Sequence, residues 1–211
     1  MKTPIEYIKE AWRIYSKKEN FVFFAKIMAV VVVLTSAIGF LISYFYSSND
    51  WQNAGFVVLT LISIVIGLWS QTAKYFAIIK MGNSEKEIFI LGYKNMCRYF
   101  LISFVVGLII LGGAVLIVIP AIIFGVWFSF STFLVLDKNL GIKVALKTSK
   151  AMVYGRFWKV LGRSFVFLIF TFLISLIVVI IPYAGSFLVS FVSPLFILPF
   201  YLLYKDLSGA Y

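Results

Sequence analysis

The chain has 211 residues, of which 63% are hydrophobic, 19% aromatic and only 13% charged, with nineteen Lys and Arg against eight Asp and Glu for a net charge of +11. Soluble domains average about 45 to 50% apolar and about 25% charged residues, so a mean hydropathy of +1.04 marks an integral membrane protein. The absence of His and the single cysteine, Cys97, remove the usual general base and metal ligand and any intrachain disulfide or thiolate cage, and no cofactor is expected.

A bilayer span takes about 17 to 25 residues. Four stretches contain no Asp, Glu, Lys or Arg: residues 27–49, 51–73, 99–136 and 164–204, which are 23, 23, 38 and 41 residues long. The first two hold one span each and the last two hold two each, which predicts an all-α bundle of six transmembrane helices arranged as three hairpins.

In chain order, Thr3-Pro4-Ile5-Glu6 combines a capping box with Pro at the first helical position and starts an amphipathic helix over 3–19. Ile5, Ile8, Trp12 and Tyr15 form its apolar stripe, with Lys9, Arg13 and Lys17 on the opposite side. Spans follow over 23–46 and 54–79. The charged, amphipathic lead and the lack of a small-x-small site predict that the first is retained rather than cleaved as a signal peptide. Ser84-Glu85-Lys86-Glu87, a second capping box, opens an amphipathic helix over 84–97 that leads into spans over 99–118 and 120–136. Gly112-Gly113 and Pro120 are both candidate breaks in this stretch. A turn just before Pro120 is preferred, because one unbroken 38-residue helix would run about 57 Å at 1.5 Å per residue and overshoot the membrane.

The third amphipathic helix, over 139–154, sets Ile142, Ala145, Ser149 and Met152 on one stripe and Lys143, Lys147 and Lys150 on another, and ends at Gly155. The last spans, 163–181 and 186–204, divide at Pro182-Tyr183-Ala184-Gly185. Basic amphipathic helix, span, tight turn and span thus recur three times. The triplets Asn20-Phe21-Val22, Arg98-Tyr99-Phe100 and Arg156-Phe157-Trp158 each precede a long apolar run, an architectural repeat rather than one of residue identity.

Residues 1–26 hold six Lys and Arg, 74–98 hold five, 137–163 hold seven, and Lys205 completes the nineteen. The connections near Asn49 to Asn53, around Pro120 and at Pro182 to Gly185 hold none. Short loops rich in Lys and Arg stay cytoplasmic, so both termini and the two long loops are expected inside a prokaryotic cell membrane, with three tight turns outside. A single span over the 38-residue run would put residues 137–163 outside, which the charge rule opposes.

At membrane depth the chain offers Gln71, Ser and Thr but no Asp or Glu, which disfavours proton-coupled transport. Lys26 and Lys74 sit at span ends, where their stems can snorkel. Pro194 and Pro199 in the last span, with Pro120, read either as simple kinks or as broken helices that open a substrate site. Ser63 with Gly67 and Ser186 with Ser190 have small-xxx-small spacing suited to close helix contact. Trp12, Trp51, Trp158, Tyr99 and Tyr204 fall at expected interfaces, while Trp127 reads as a packing residue. Cys97 reads as a small apolar residue near a membrane surface, with palmitoylation as the alternative.

Pro120-Ala-Ile-Ile-Phe-Gly-Val-Trp-Phe-Ser-Phe, followed by Val135-Leu-Asp-Lys-Asn-Leu-Gly141, Ala145-Leu-Lys-Thr-Ser149, Gly155-Arg-Phe-Trp-Lys159 and Tyr201-Leu-Leu-Tyr-Lys-Asp-Leu207, resembles a group of six-span bacterial and archaeal membrane proteins of unknown function. That group is related to the membrane domain of glycerophosphoryl diester phosphodiesterases. Val144 departs from the acidic residue that often precedes the Ala-Leu pair there. The resemblance implies the six-span fold and no activity. The phosphodiesterase barrel of that family is a separate domain of about 250 residues, and its chemistry rests on His and clustered carboxylates that this chain lacks.

The expected function is therefore non-enzymatic: a basic inner face that binds anionic lipid or a partner protein in envelope or lipid homeostasis. Arg13, Lys17, Lys18, Lys143, Lys147, Lys150, Arg156, Lys159 and Arg163 are its candidate contacts, with Trp12 and Trp158 beside them at the interface. A charge distribution that only sets topology is the competing explanation. A permease for a lipid-like or apolar substrate, motivated by the helix breaks at Pro120, Pro182, Pro194 and Pro199, is the alternative function. Nucleic acid is not an expected partner, since the positive patches are juxtamembrane.

Overall fold

The structure is a computed structural model that describes residues 1–47, 54–116, 118–179 and 185–209. Among these residues there is no strand, and six helical segments are long and apolar enough to cross a membrane. The protein is an all-α, multi-pass membrane bundle. In order the helices are α1 (Pro4–Ser16), α2 (Lys18–Ser47), α3 (Ala54–Ile79), α4 (Glu85–Leu116), α5 (Val118–Phe128), α6 (Ser131–Asp137), α7 (Ile142–Val153), α8 (Phe157–Val179) and α9 (Gly185–Ser208).

Consecutive helices α2 and α3, α4 and α5, and α8 and α9 pack on each other as the three expected hairpins. The question of one or two spans in the 38-residue run is decided by α5 and α6 folding back along α4. Tyr75 of α3 brings Tyr99, at the start of that run, and Phe133, near its end, to ring-centroid distances of 5.5 and 5.3 Å. Gly112-Gly113 is not a break, because α4 runs through it to Leu116. Gly113 instead allows close approach: a Cβ there would sit 2.9 Å from the Phe124 ring and 3.0 Å from the Ala121 nitrogen. Gly92 does the same against Ala73 across the α3/α4 crossing. Ser63 and Gly67 do not mark a close contact, since a Cβ on Gly67 meets nothing within 4 Å. The Ser186 side chain lies outside the described residues, as do Asn49 to Asn53 and the break at Pro182.

Several boundaries differ from those expected. The helix over 84–97 and the span over 99–118 are one continuous helix, α4, because no Gly or Pro interrupts the backbone where the composition changes. The span expected over 120–136 is split at Ser129 and Phe130 into α5 and α6. The third amphipathic helix starts at Ile142 rather than 139, since Asn139 has φ 54°, a left-handed conformation that a helix cannot include. It ends as expected before Gly155, with φ 75°. The fifth span's helix begins at Phe157, six residues before the expected 163. Pro194 and Pro199 both lie within unbroken α9. Pro194 cannot donate to the Ser190 carbonyl, and the Ser193 hydroxyl donates to it instead at 2.7 Å.

The close-packed core is concentrated at one end of the bundle, where Tyr7, Phe24, Ile27, Met28, Phe76, Phe130, Leu134, Leu198 and Tyr204 are buried. Toward the other end Phe40, Leu61, Leu111, Val115 and Phe172 are exposed. Exposed apolar surface on helices of spanning length is surface for lipid tails. Tyr204, expected at the interface, is instead fully buried in the core.

Candidate functional site

The buried end of the bundle is also the charged end. Lys26 on α2 pairs with Glu85 on α4 at 3.0 Å, Lys205 on α9 with Asp137 on α6 at 3.2 Å, and the Arg163 Nε donates to the Lys2 carbonyl at 2.9 Å. These contacts bring residues 1–26, the start of α4, residues 137–163 and the end of α9 to one end. The sorting of charge that the sequence shows in segments is a sorting in space.

At this end α1 lies across α9, α2 and α8. Its capping box forms as expected: the Thr3 hydroxyl accepts from the Glu6 N–H at 3.3 Å, and the Glu6 carboxylate accepts from the Thr3 N–H at 2.8 Å. That backbone bond holds the Glu6 carboxyl below its ordinary pKa of 4.5. The stripe is another matter. Tyr7, Ala11 and Tyr15 are buried, whereas Ile5 and Trp12 are more than half exposed. At about 100° per residue, Tyr7, Ala11 and Tyr15 form one face against the protein, and Ile5 and Trp12 an adjoining face toward the surroundings, with the half-buried Ile8 at the boundary between them. The remaining arc carries Lys2, Glu6, Lys9, Glu10 and Arg13 together, with Lys2 hydrogen-bonded to Glu10 and its pKa raised by that bond. Two hydroxyls pin the helix down. Tyr7 donates to Asp206 at 2.6 Å and Tyr15 to the Phe191 carbonyl at 2.9 Å. Burial first, then the Asp206 hydrogen bond, pushes the Tyr7 phenol well above its ordinary value of 10.0, so it remains a donor.

Helix α7 is held by a contact that periodicity does not show. Ala145, Ser149 and Met152 are buried as the stripe requires. Ser149 is more than a small packing residue. Its hydroxyl donates to the Trp127 carbonyl at 2.7 Å and accepts from the Phe130 N–H at 3.3 Å, occupying the gap between α5 and α6. A helix break leaves backbone groups without partners, and here a side chain some twenty residues away supplies them. With this face fixed, Lys143, Lys147 and Lys150 are exposed. The Lys150 ammonium sits 4.2 Å from the Trp127 ring centroid, so the ring that packs α5 also faces a cation.

Arg13, Lys17, Lys18, Lys143, Lys147, Lys150, Arg156 and Lys159 are exposed, and among the described residues none of them forms an ion pair. Arg163 is half-buried and serves the fold, donating also to the Lys159 carbonyl at 2.8 Å. Trp158 is 79% exposed and stands between Arg156 and Lys159. Cys97 is exposed on α4 with a free thiol. Among the described residues no three His, Cys, Asp or Glu side chains converge on a metal position.

Beside Trp158 an apolar cleft of about 730 Å³ opens between α5, α8 and α9. Ile122, Gly125, Leu161, Gly162, Phe165 and Leu168 form much of its wall. Phe200, next to Pro199, closes one side. The volume falls in the range of about 300 to 1,000 Å³ typical of small-molecule sites. Ser164, also in the wall, is 9% exposed, and its hydroxyl has no hydrogen-bond partner among the described residues. Neither hydropathy nor charge along the chain marks this cleft. Its only signals were Gly125 and Gly162, two helical glycines where an added Cβ would meet nothing within 4 Å. Neither a family model, a curated protein nor a solved structure matches this chain.

Proposed function

We propose that this membrane protein is a non-enzymatic module of a prokaryotic cell membrane, with both termini cytoplasmic, that binds anionic lipid headgroups through its basic end in envelope or lipid homeostasis. One observation carries this reading: Arg13, Lys17, Lys18, Lys143, Lys147, Lys150, Arg156 and Lys159 stand exposed and, among the described residues, without ion pairs, with Trp12 and Trp158 exposed among them. Charges used only to set topology need no amphipathic rings beside them, whereas Trp12 and Trp158 are rings that prefer the headgroup layer. A protein partner bearing acidic groups would meet the same chemistry.

The triple variant Lys143→Gln, Lys147→Gln, Lys150→Gln tests it. Each Lys near an anionic surface contributes about 1 kcal/mol, so binding of phosphatidylglycerol to the purified protein should weaken by roughly 100-fold. Lys138, Arg156, Lys159 and Arg163 remain in the segment to direct its topology. Unchanged binding would leave topology as the sole role of these charges. A permease for a lipid-like substrate retains one supporting observation, the cleft beside Pro199. Accelerated lipid movement between leaflets of proteoliposomes would favour that function instead.

A further inference from the structure

We infer that the cleft between α5, α8 and α9 seats one acyl chain of an anionic glycerophospholipid drawn from the leaflet at the basic end. This rests on the lipid-binding reading above and assigns it a site. The first argument is length. The α8 residues that line the cleft run from Trp158 to Leu168, which is about 15 Å at 1.5 Å per residue and half of a hydrocarbon core of about 30 Å. The cleft therefore has the reach of one leaflet. The opposite wall agrees, since Ser129, just after α5, lies near the charged end and Ile122 of α5 seven residues deeper.

The second argument is shape. Gly125 and Gly162 leave open space where any other residue would project a side chain, so a channel flanked by Leu161, Phe165, Leu168 and Ile122 lies free for a hydrocarbon. The third is charge. Arg156 and Lys159 neighbour the exposed lining residue Trp158 in the chain, at the charged start of α8, and have no ion-pair partners among the described residues, which suits a phosphate in the headgroup layer above the cleft. Finally, the wall holds a buried hydroxyl, that of Ser164, with no hydrogen-bond partner among the described residues. It follows Arg163, whose guanidinium reaches the Lys2 carbonyl ahead of α1, so it lies within a side chain's reach of the charged layer. A rotation about its χ1 offers it to an oxygen of the glycerol linkage.

Native mass spectrometry of the full chain, delipidated and titrated with phosphatidylglycerol or phosphatidylcholine, tests this. The variant Gly125→Leu with Gly162→Leu fills the cleft. Gly39→Leu adds the same side chain where a Cβ also meets nothing within 4 Å, on α2 away from the cleft, and controls for folding. The wild type should bind one phosphatidylglycerol at least tenfold more tightly than phosphatidylcholine. The cleft variant should lose at least tenfold in that affinity, and Gly39→Leu less than twofold. Cleft-variant affinity within twofold of wild type overturns the inference, and so does equal affinity for the two lipids. If the cleft variant loses the lipid while the triple Lys variant keeps it, the cleft assignment stands and the basic surface of α7 is not the determinant. If only the triple Lys variant loses it, the surface reading stands and the cleft assignment falls.

Discussion

Tyr204→Ala lowers the stability of the folded protein by about 3 to 5 kcal/mol, the cost of deleting a large buried ring. Tyr204 is fully buried. It stacks on Phe133 at 5.3 Å, contacts Phe130 and Tyr201 at 6.5 and 6.0 Å, and donates to Asp137 at 3.0 Å. The ring therefore joins the end of α9 to α6 in the buried core. Tyr204→Phe keeps the ring and loses only the hydrogen bond. Asp137 retains Lys205 at 3.2 Å, so the cost should be about 1 kcal/mol. Unfolding in mixed micelles, followed by tryptophan fluorescence, separates the two. Equal losses for both variants would assign the stability to the hydrogen bond instead of the ring.

Ser149→Ala costs about 2 kcal/mol, large for the loss of one oxygen. The hydroxyl serves two backbone groups at the α5/α6 break, the Trp127 carbonyl and the Phe130 N–H, and each buried group left unpaired costs about 1 to 3 kcal/mol. Relaxation of the break and water at this end recover part of that. Hydrogen exchange should rise first at residues 127–131 and in α7, because the same contact holds α7 in place. Lys150 would then leave the Trp127 ring, and the surface of Lys143, Lys147 and Lys150 would lose its fixed orientation. Exchange confined to α7 with the break still protected would show that Ser149 only packs.

These two residues show where sequence reading succeeds and where it stops. A period of 3.6 puts Ser149 on the inner stripe of α7, where it is buried, since a helix with one apolar and one charged face has a single way to lie. Its hydrogen bonds were not visible, because the break it serves carries no Pro or Gly and is stabilised from another helix. Position at a span end alone would make Tyr204 an interfacial ring. The basic end is where α1, α6, α7 and α9 pile up, so a residue there is buried by protein. Helix α1 illustrates the same limit. Ile5, Ile8, Trp12 and Tyr15 are apolar, but near a membrane a helix has two apolar surroundings, and hydropathy cannot tell the face toward protein from the face toward lipid. Tyr7, with its partner Asp206, was the informative residue. The cleft depends on how α5, α8 and α9 are spaced, a property of the tertiary fold.

The span count was legible for a firmer reason. Length set the number of crossings, and the sorting of nineteen cations into a few segments required those segments to share a side. The contacts of Lys26 with Glu85, Lys205 with Asp137 and Arg163 with Lys2 bring them together in space.

The proposal of a basic cytoplasmic face depends above all on that sidedness, and cysteine accessibility measures it directly. In a Cys97→Ser background, Gln52→Cys should react with a membrane-impermeant maleimide on intact cells, and Lys147→Cys only after permeabilisation. Reaction of Lys147→Cys on intact cells would place the basic segment outside and contradict the account.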